Sequence, residues 1–136
     1  PIVVVLFGDH QPGFVEQLAP TGDSDEEPTV DDAQQRYVTP YMLWTNSEQL
    51  SRHVRHGGDT SLNYLAATTL KTAGLPLNEY FAFLYATKQS LPAINLNGYM
   101  DAEGAWHWND DADSSSAEAV SDLAIVQHQN LFDNKQ

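Results

Sequence analysis

Ile2-Val3-Val4-Val5-Leu6-Phe7 is an unbroken apolar run near the start of the chain, and Gly8 ends it. The run is rich in β-branched side chains, which favour extended structure. A continuous apolar run of this length is typical of a strand buried on both faces, as in a parallel sheet covered by helices. We therefore expect an α/β fold with one buried parallel strand at its N-terminus.

The rest of the chain carries signals of both helix and strand. Residues 11–35 are acidic and rich in turn residues, so we expect an exposed loop there, with one helical turn near residues 14–18. A second strand is expected at residues 37–45, where Pro40 marks an edge or an entry bend. The remaining expectations are a helix between the cap candidates 59–61 and Gly74, a helix at 77–88, a hairpin at 94–108 that turns around 101–104, and a terminal helix at 117–132. The first of these helices is expected to bury Leu62, Leu65, Ala66, Thr69 and Leu70.

These elements amount to a few strands and about three helices. That is too few strands for a complete doubly wound domain, although 136 residues are enough for one domain with a core. The chain begins at Pro1 without an initiator Met or a leader, and we expect it to be a piece of a longer protein. No apolar run approaches the roughly 20 residues needed to cross a bilayer.

The composition is that of a globular protein with an acidic surface. Apolar residues make up 41% of the chain and charged residues 18%, so disorder is not expected. The net charge of −13 argues against a nucleic-acid partner, because phosphate backbones are bound by Lys and Arg. The same charge disfavours direct docking on an anionic lipid surface. The lack of cysteine excludes disulfides and thiolate metal sites.

Asp9 and His10 directly follow the apolar strand, where open α/β sheets bind their ligands. A carboxylate oxygen and a neutral imidazole nitrogen suit a borderline divalent ion such as Zn²⁺ or Mn²⁺. Gly8 allows a backbone turn that brings both side chains to one side. By spacing alone, the pair fits a metal site or a loop Asp that caps a backbone amide beside a solvated His.

Three other groups of residues invite a binding role, and each has a plainer interpretation. Residues 52–56 concentrate Arg and His, but they favour a solvated loop before two glycines. Trp106-His107-Trp108 suits stacking on a sugar or lipid, although two Trp flanking a His more often cover a core edge. The acidic residues at 23–27 lack the ligand spacing of a calcium loop. His128 is expected to be a surface or packing residue.

Four motifs occur in one order along the chain. They are Val3-Val4-Val5-Leu6-Phe7-Gly8-Asp9-His10-Gln11-Pro12, Thr39-Pro40-Tyr41-Met42-Leu43-Trp44-Thr45-Asn46, Ser61-Leu62-Asn63-Tyr64-Leu65 and Val126-Gln127-His128-Gln129-Asn130-Leu131-Phe132. In this order they resemble the late part of the sulfatase-like phosphoglycerol transferases, a family of the alkaline phosphatase superfamily that includes the lipoteichoic acid synthases. The first motif resembles the late metal-binding strand of that family, and in the last motif His128 stands where Tyr is usual.

This resemblance implies that the chain is the C-terminal part of an alkaline-phosphatase-like catalytic domain. It implies that Asp9 and His10 are the late pair of metal ligands, and that the ion is Mn²⁺, with Zn²⁺ or Mg²⁺ as alternatives. Because two ligands leave an ion largely bound to water, metal binding by this chain alone is expected to be weak or absent. The early acidic ligand and a Thr or Ser nucleophile then belong to a segment before Pro1. We therefore expect this chain to be catalytically inactive by itself, because the ion has no nucleophile to activate.

The resemblance also implies a location and partners. The parent protein is expected to be anchored in a bacterial cell membrane, with its catalytic domain on the extracytoplasmic face, and to act on a glycerophospholipid or glycolipid. The fragment itself is expected to be soluble, with the N-terminal half of its own catalytic domain as its partner. Two alternatives stay open: a fragment of a sulfatase or phosphatase of the same superfamily, and a non-catalytic module that binds a basic partner through its acidic surface.

Overall fold

The computed structural model describes residues 1–13, 29–51, 57–111 and 115–133. Within these residues it contains five strands and five α-helices. In chain order they are β1 (Val3–Phe7), α1 (Val30–Gln34), β2 (Tyr41–Thr45), α2 (Glu48–Ser51), α3 (Leu62–Thr72), α4 (Glu79–Thr87), β3 (Ala93–Ile94), β4 (Gly98–Met100), β5 (Trp106–Trp108) and α5 (Ala117–Phe132). The helical turn predicted near residues 14–18 lies outside the described residues.

The N-terminal sheet consists of β1 and β2, which pair antiparallel. Val4 lies opposite Trp44 and Leu6 lies opposite Met42, so these four side chains form one outer face of the sheet. They are 37% to 55% exposed, whereas Val3, Val5 and Leu43 on the other face are half-buried. The prediction of a strand buried on both faces is therefore wrong for the described residues, because the outer face of β1 is exposed and Phe7 on the other face is also 53% exposed. The described strands include no parallel neighbour for β1.

Helix α1 occupies the end of the segment that was expected to be a loop at residues 11–35. Its start is specified by a reciprocal capping box between Thr29 and Asp32. The Asp32 amide donates to Thr29 Oγ1 at 3.2 Å, and the Thr29 amide donates to Asp32 Oδ2 at 3.0 Å. The helix places Gln34 in the interior, where the residue is 3% exposed. The sequence interpretation followed the acidic composition of this segment and overlooked the Thr29–Asp32 capping box, which favours a helix start.

The ends of α3 and α4 follow from local signals. Helix α3 begins after Ser61 and is followed by Gly74, whose φ of 71° ends the helix, so the predicted positions of its start and stop are confirmed. The Ser61 side chain does not cap the helix, because its Oγ donates to the Ile94 carbonyl at 2.7 Å. Helix α4 begins after Asn78, whose Oδ1 accepts a hydrogen bond from the Phe81 amide at 2.8 Å. Helix α5 occupies the range predicted for the terminal helix.

The hydrophobic core lies where α3, α4 and α5 meet the last strands. Its fully buried residues are Tyr64, Ala67, Leu84, Leu91, Tyr99 and Leu123. The face predicted for α3 is only partly correct, because Leu65 is buried but Leu62 is 46% exposed and Ala66 is exposed. Tyr64 and Ala67 take their place in the core.

The C-terminal sheet is antiparallel in the order β3-β4-β5. Gly104, with a φ of 89°, forms the turn between β4 and β5, and Asp101 Oδ1 accepts hydrogen bonds from the Glu103 and Ala105 amides at 3.0 and 2.8 Å. This confirms the hairpin predicted within residues 94–108 and adds β3 to it. The fold is thus a mixture of helix and sheet, in coarse agreement with the α/β expectation. None of the described helices combines the length and apolar character that crossing a membrane requires.

Candidate functional site

The turn after β1 presents Asp9 and His10 at the edge of the N-terminal sheet. Gly8 joins this turn to the chain before β2, because its amide donates to the Pro40 carbonyl at 3.0 Å and its carbonyl accepts from Thr39 Oγ1 at 2.8 Å. A Cβ at Gly8 would lie 2.9 Å from Thr39 Cβ, so the close approach of the two segments favours glycine. The position of Asp9 and His10 is therefore set by contacts with the segment that leads into β2.

The side chains of Asp9 and His10 converge on one side of the turn. His10 Nε2 lies 3.6 Å from Asp9 Oδ2. The Asp9 Oδ1 atom accepts the His10 amide at 2.9 Å, and His10 Nδ1 lies 3.0 Å from the Gln11 carbonyl, to which it can donate. That tautomer leaves the Nε2 lone pair free for an ion or proton.

This geometry fits one divalent ion shared by the two side chains. Two ligand atoms at about 2.1 Å from one ion lie about 3.0 to 3.4 Å apart, so Asp9 Oδ2 and His10 Nε2 need only a small displacement to share it. Both side chains are more than three-quarters exposed, at 78% and 77%. In the part of the chain that the structure describes, no group of three His, Asp or Glu residues is placed to hold a metal. The described residues therefore supply two candidate ligand atoms close together and no third.

A cavity of about 710 Å³ opens beside Asp9 and extends between α1, α3, β3, β5 and α5. We call it the interlayer cavity; Asp9, Gln34, Asn63, Trp106 and Gln127 are among the residues that line it. His10 does not line this cavity. This cavity could not be predicted from the sequence, because its walls come from segments more than one hundred residues apart.

A second polar cluster, formed by Asp101, His107 and Asp111, was also missed by the sequence analysis. His107 Nε2 lies 2.7 Å from Asp101 Oδ2, and its Nδ1 lies 3.3 Å from Asp111 Oδ2. The hydrogen bond to Asp101 raises the pKa of the His107 imidazole above 6.5, and Asp111 adds to this. The same hydrogen bond lowers the pKa of Asp101 from 3.8. The signal was the position of Asp101 and His107 on either side of the predicted turn.

The Asp101–His107–Asp111 cluster holds the C-terminal sheet together. His107 lies opposite Tyr99 across the β4–β5 pair, and the two rings stack with centroids 5.3 Å apart. His107 is 26% exposed and Asp101 is 12% exposed. An imidazole held between two carboxylates and an aromatic ring has no free nitrogen to act on a ligand, so we interpret the cluster as structural.

The remaining sequence candidates fall into two groups. Residues 52–56 and 23–27 lie outside the described residues. In the second group, Trp106 is half-buried and Trp108 is 40% exposed, while the exposed His128 stacks obliquely on Phe132 with ring centroids 4.8 Å apart.

Comparisons of the chain with models of protein families, with curated proteins and with solved structures found no match.

Proposed function

We propose that this chain is the C-terminal part of an extracytoplasmic, metal-dependent phosphoglycerol transferase or phosphodiesterase that acts on glycerophosphate-type substrates of the cell envelope. The observation that carries the proposal is the convergence of Asp9 Oδ2 and His10 Nε2, 3.6 Å apart, directly after β1. The order of the four motifs along the sequence supports the same assignment.

Within this proposal Asp9 and His10 hold a divalent ion, Mn²⁺ in the first instance. A bound ion supplies Lewis acidity for phosphate-ester chemistry. The chain's own contribution is positional. Gln11 orients the His10 ring through its carbonyl, and the hydrogen bonds of Gly8 with Thr39 and Pro40 hold the turn in place. The nucleophile is assigned to a segment of the parent protein that precedes Pro1, so the chain alone is inactive.

The outer face of the N-terminal sheet supports the idea that further protein packs here. Val4, Leu6, Met42 and Trp44 form a contiguous exposed apolar surface on paired strands. Such a surface is typical of a contact with other protein. In the proposal, this contact is made by the N-terminal half of the same catalytic domain, which carries the remaining metal ligands, in a parent protein anchored in the membrane.

The metal assignment is tested by titrating the chain with Mn²⁺ and following its amide signals by NMR, since Mn²⁺ broadens signals near it. We expect the signals of residues 8–11 to broaden first, and His10→Ala to abolish this preference. Asp122→Asn, which changes an exposed carboxylate on α5, is the matched control and should leave the preference unchanged. If the signals of the whole acidic surface broaden uniformly, the result would contradict a site at Asp9 and His10.

The catalytic assignment is tested separately with bis-nitrophenyl phosphate. The pure chain should release no nitrophenol in the presence of Mn²⁺. The full-length parent protein should release nitrophenol. In that protein Asp9→Asn should lower kcat/KM by more than about 100-fold, which exceeds the effect of losing a residue that only hydrogen-bonds to a metal ligand. Mn²⁺-dependent release by the pure chain would overturn the assignment of the nucleophile to another segment.

A further inference from the structure

The interlayer cavity has the size of a small-ligand site. Its volume of about 710 Å³ falls within the range of about 300–1,000 Å³ that is usual for ligand pockets. Leu65 and Leu123, which are almost completely buried, contribute apolar wall, and polar side chains contribute the rest. A pocket with an apolar wall and several polar groups can both hold a ligand and orient it.

The charged residues in the described lining of the cavity are all acidic. Asp9, Asp31 and Asp59 line it, and the lining residues that the structure describes include no Lys, Arg or His. A ligand with negative charge would meet uncompensated repulsion here, which the overall charge of −13 would increase. The cavity therefore favours a ligand that is neutral or positively charged.

Amide side chains supply hydrogen-bonding capacity that the protein leaves unused. Asn63 and Gln127 line the cavity, and neither side chain forms a hydrogen bond with another described residue. Each amide offers both donors and an acceptor. The carboxylates of Asp31 and Asp59 add acceptors. A ligand that carries several hydroxyl groups matches this set, because a hydroxyl can donate to a carboxylate and accept from an amide.

Gln34, in the cavity wall, provides an independent indication that a polar partner is missing. The residue is 3% exposed, and its Oε1 accepts from Asn95 Nδ2, but its Nε2 has no hydrogen-bond partner. A buried amide nitrogen without a partner is unfavourable by about 1–3 kcal/mol. A ligand hydroxyl oxygen that reaches Nε2 would supply the missing acceptor and leave the bond between Oε1 and Asn95 in place.

An aromatic side chain completes the pattern. Trp106 in β5 is half-buried and lines the cavity. An indole ring combines a broad apolar surface with one polar N–H group, and this suits a ligand that has an apolar C–H face and a polar rim. A sugar ring has both features.

We propose that the interlayer cavity binds a small carbohydrate, that is, a ring of hexose size with several hydroxyl groups and no negative charge. Asp59, Asn63 and Gln127 accept and donate its hydroxyl hydrogen bonds, and Trp106 packs against its C–H face. This proposal does not depend on the phosphoester function, because the proposed hydrogen bonds and ring contact come from Asp59, Asn63, Gln127 and Trp106 and need no ion. Asp9 lines the cavity and adds to its negative charge, but it forms none of these proposed contacts.

The test uses the complete 136-residue chain in NMR titrations without metal, with glucose, glucosamine and glucuronate as probes that differ mainly in charge. We expect glucose and glucosamine to shift the side-chain amide signals of Asn63 and Gln127 in a saturable way. Glucuronate should bind at least about tenfold more weakly because of the three aspartates. The absence of saturable shifts with all three sugars, or binding of glucuronate as tight as that of glucose, would overturn the proposal.

Substitutions then locate the site. Gln127→Leu should weaken glucose binding by about threefold to tenfold, the usual effect of one lost hydrogen bond. Gln129→Leu changes an exposed residue of the same helix outside the cavity and should leave the affinity unchanged. If Gln127→Leu does not fold, Asn63→Ala at the exposed start of α3 replaces it with the same expectation. Equal affinities of the cavity variant and the Gln129→Leu control would contradict the assignment.

The sugar titration and the Mn²⁺ titration test two independent hypotheses. Because the sugar titration contains no ion, its failure would leave the Asp9–His10 assignment untouched. A negative Mn²⁺ result would likewise leave sugar binding untouched.

Discussion

The N-terminal sheet carries the unbroken apolar run of residues 2–7, yet its apolar side chains are covered far less than those of the helical core. Leu6 in β1 is 55% exposed, whereas Leu84 in α4 is 1% exposed. Trp44 in β2 is 49% exposed, whereas Tyr64 in α3 is 0% exposed. The comparison shows that an apolar segment is buried only where other elements of the fold pack against it.

The reason lies in the number of elements that each region contacts. The core residues lie among α3, α4, α5 and the C-terminal sheet, which pack on one another. The described contacts of the N-terminal sheet are mainly between its own two strands. Stability should therefore be concentrated in the core, and the outer face of β1 and β2 should contribute little.

The largest effect is expected from truncating a core leucine. Leu84→Ala removes a fully buried side chain and leaves a cavity, so the free energy of unfolding should fall by about 2–5 kcal/mol. Leu6→Ala makes the same chemical change on the exposed outer face and should lower it by less than about 1 kcal/mol. Urea unfolding of both variants checks this, and equal losses would show that the outer face is covered in solution.

A smaller loss is expected from adding a methyl group at Gly98 in β4. A Cβ there would lie 2.6 Å from the His107 carbonyl oxygen and 2.8 Å from Gln34 Nε2, so the backbone has to shift. Gly98→Ala should lower the free energy of unfolding by about 1–3 kcal/mol. At Gly58 a Cβ would meet no atom within 4 Å, so Gly58→Ala should change it by less than about 0.5 kcal/mol. An unaffected Gly98→Ala would mean that β4 and α1 are loosely packed.

The smallest effect is expected from the charge of His107. Because the Asp101 carboxylate raises the pKa of His107, its contribution to folding is complete below pH 6.5 and is lost as the pH rises through the raised value. The contribution linked to the lowered pKa of Asp101 is present above pH 3.8 and is lost as the pH falls through the lowered value. The stability difference between the natural chain and His107→Gln should thus be larger near about pH 5.5 than near about pH 9.

His128→Gln, which changes an exposed histidine of α5, is the control for this measurement. The stability difference of His107→Gln should change more with pH than that of His128→Gln, because His107 contacts two carboxylates whereas His128 stacks on the Phe132 ring. A His107→Gln difference that does not change with pH would contradict the ion-paired cluster.

Several elements could be predicted because their signals are local. Gly74, Asn78 and Gly104 specify a helix end, a helix start and a turn through their own backbone or side-chain hydrogen bonds. Helix α1 carried an equally local signal in Thr29 and Asp32, and it was missed because the acidic composition suggested a loop. Helix α3 was located correctly but its buried face was not, since the position of its neighbours decides which side is covered.

The candidate sites also differ in whether local sequence or tertiary contacts bring their residues together. Asp9 and His10 could be named from the sequence because they are adjacent and follow a strand, and their convergence requires only the turn at Gly8. For the Asp101–His107–Asp111 cluster the only sequence signal was that two of its residues lie near one predicted turn, and for the interlayer cavity there was none, because strand pairing and helix packing bring their members together. The metal ion, the substrate and the location stay predictions.

Local sequence specified several helix ends and turns, because backbone sterics and capping hydrogen bonds act over a few residues. It did not place the start of β2, which was predicted at residue 37 and lies at Tyr41. Burial of β1, the antiparallel pairing with β2 and the walls of the interlayer cavity depended on contacts between distant segments. Such contacts form only when the free energy of packing exceeds the entropy lost on ordering the chain. Both quantities depend on all the elements that pack together, so they cannot be predicted from a short stretch of the sequence.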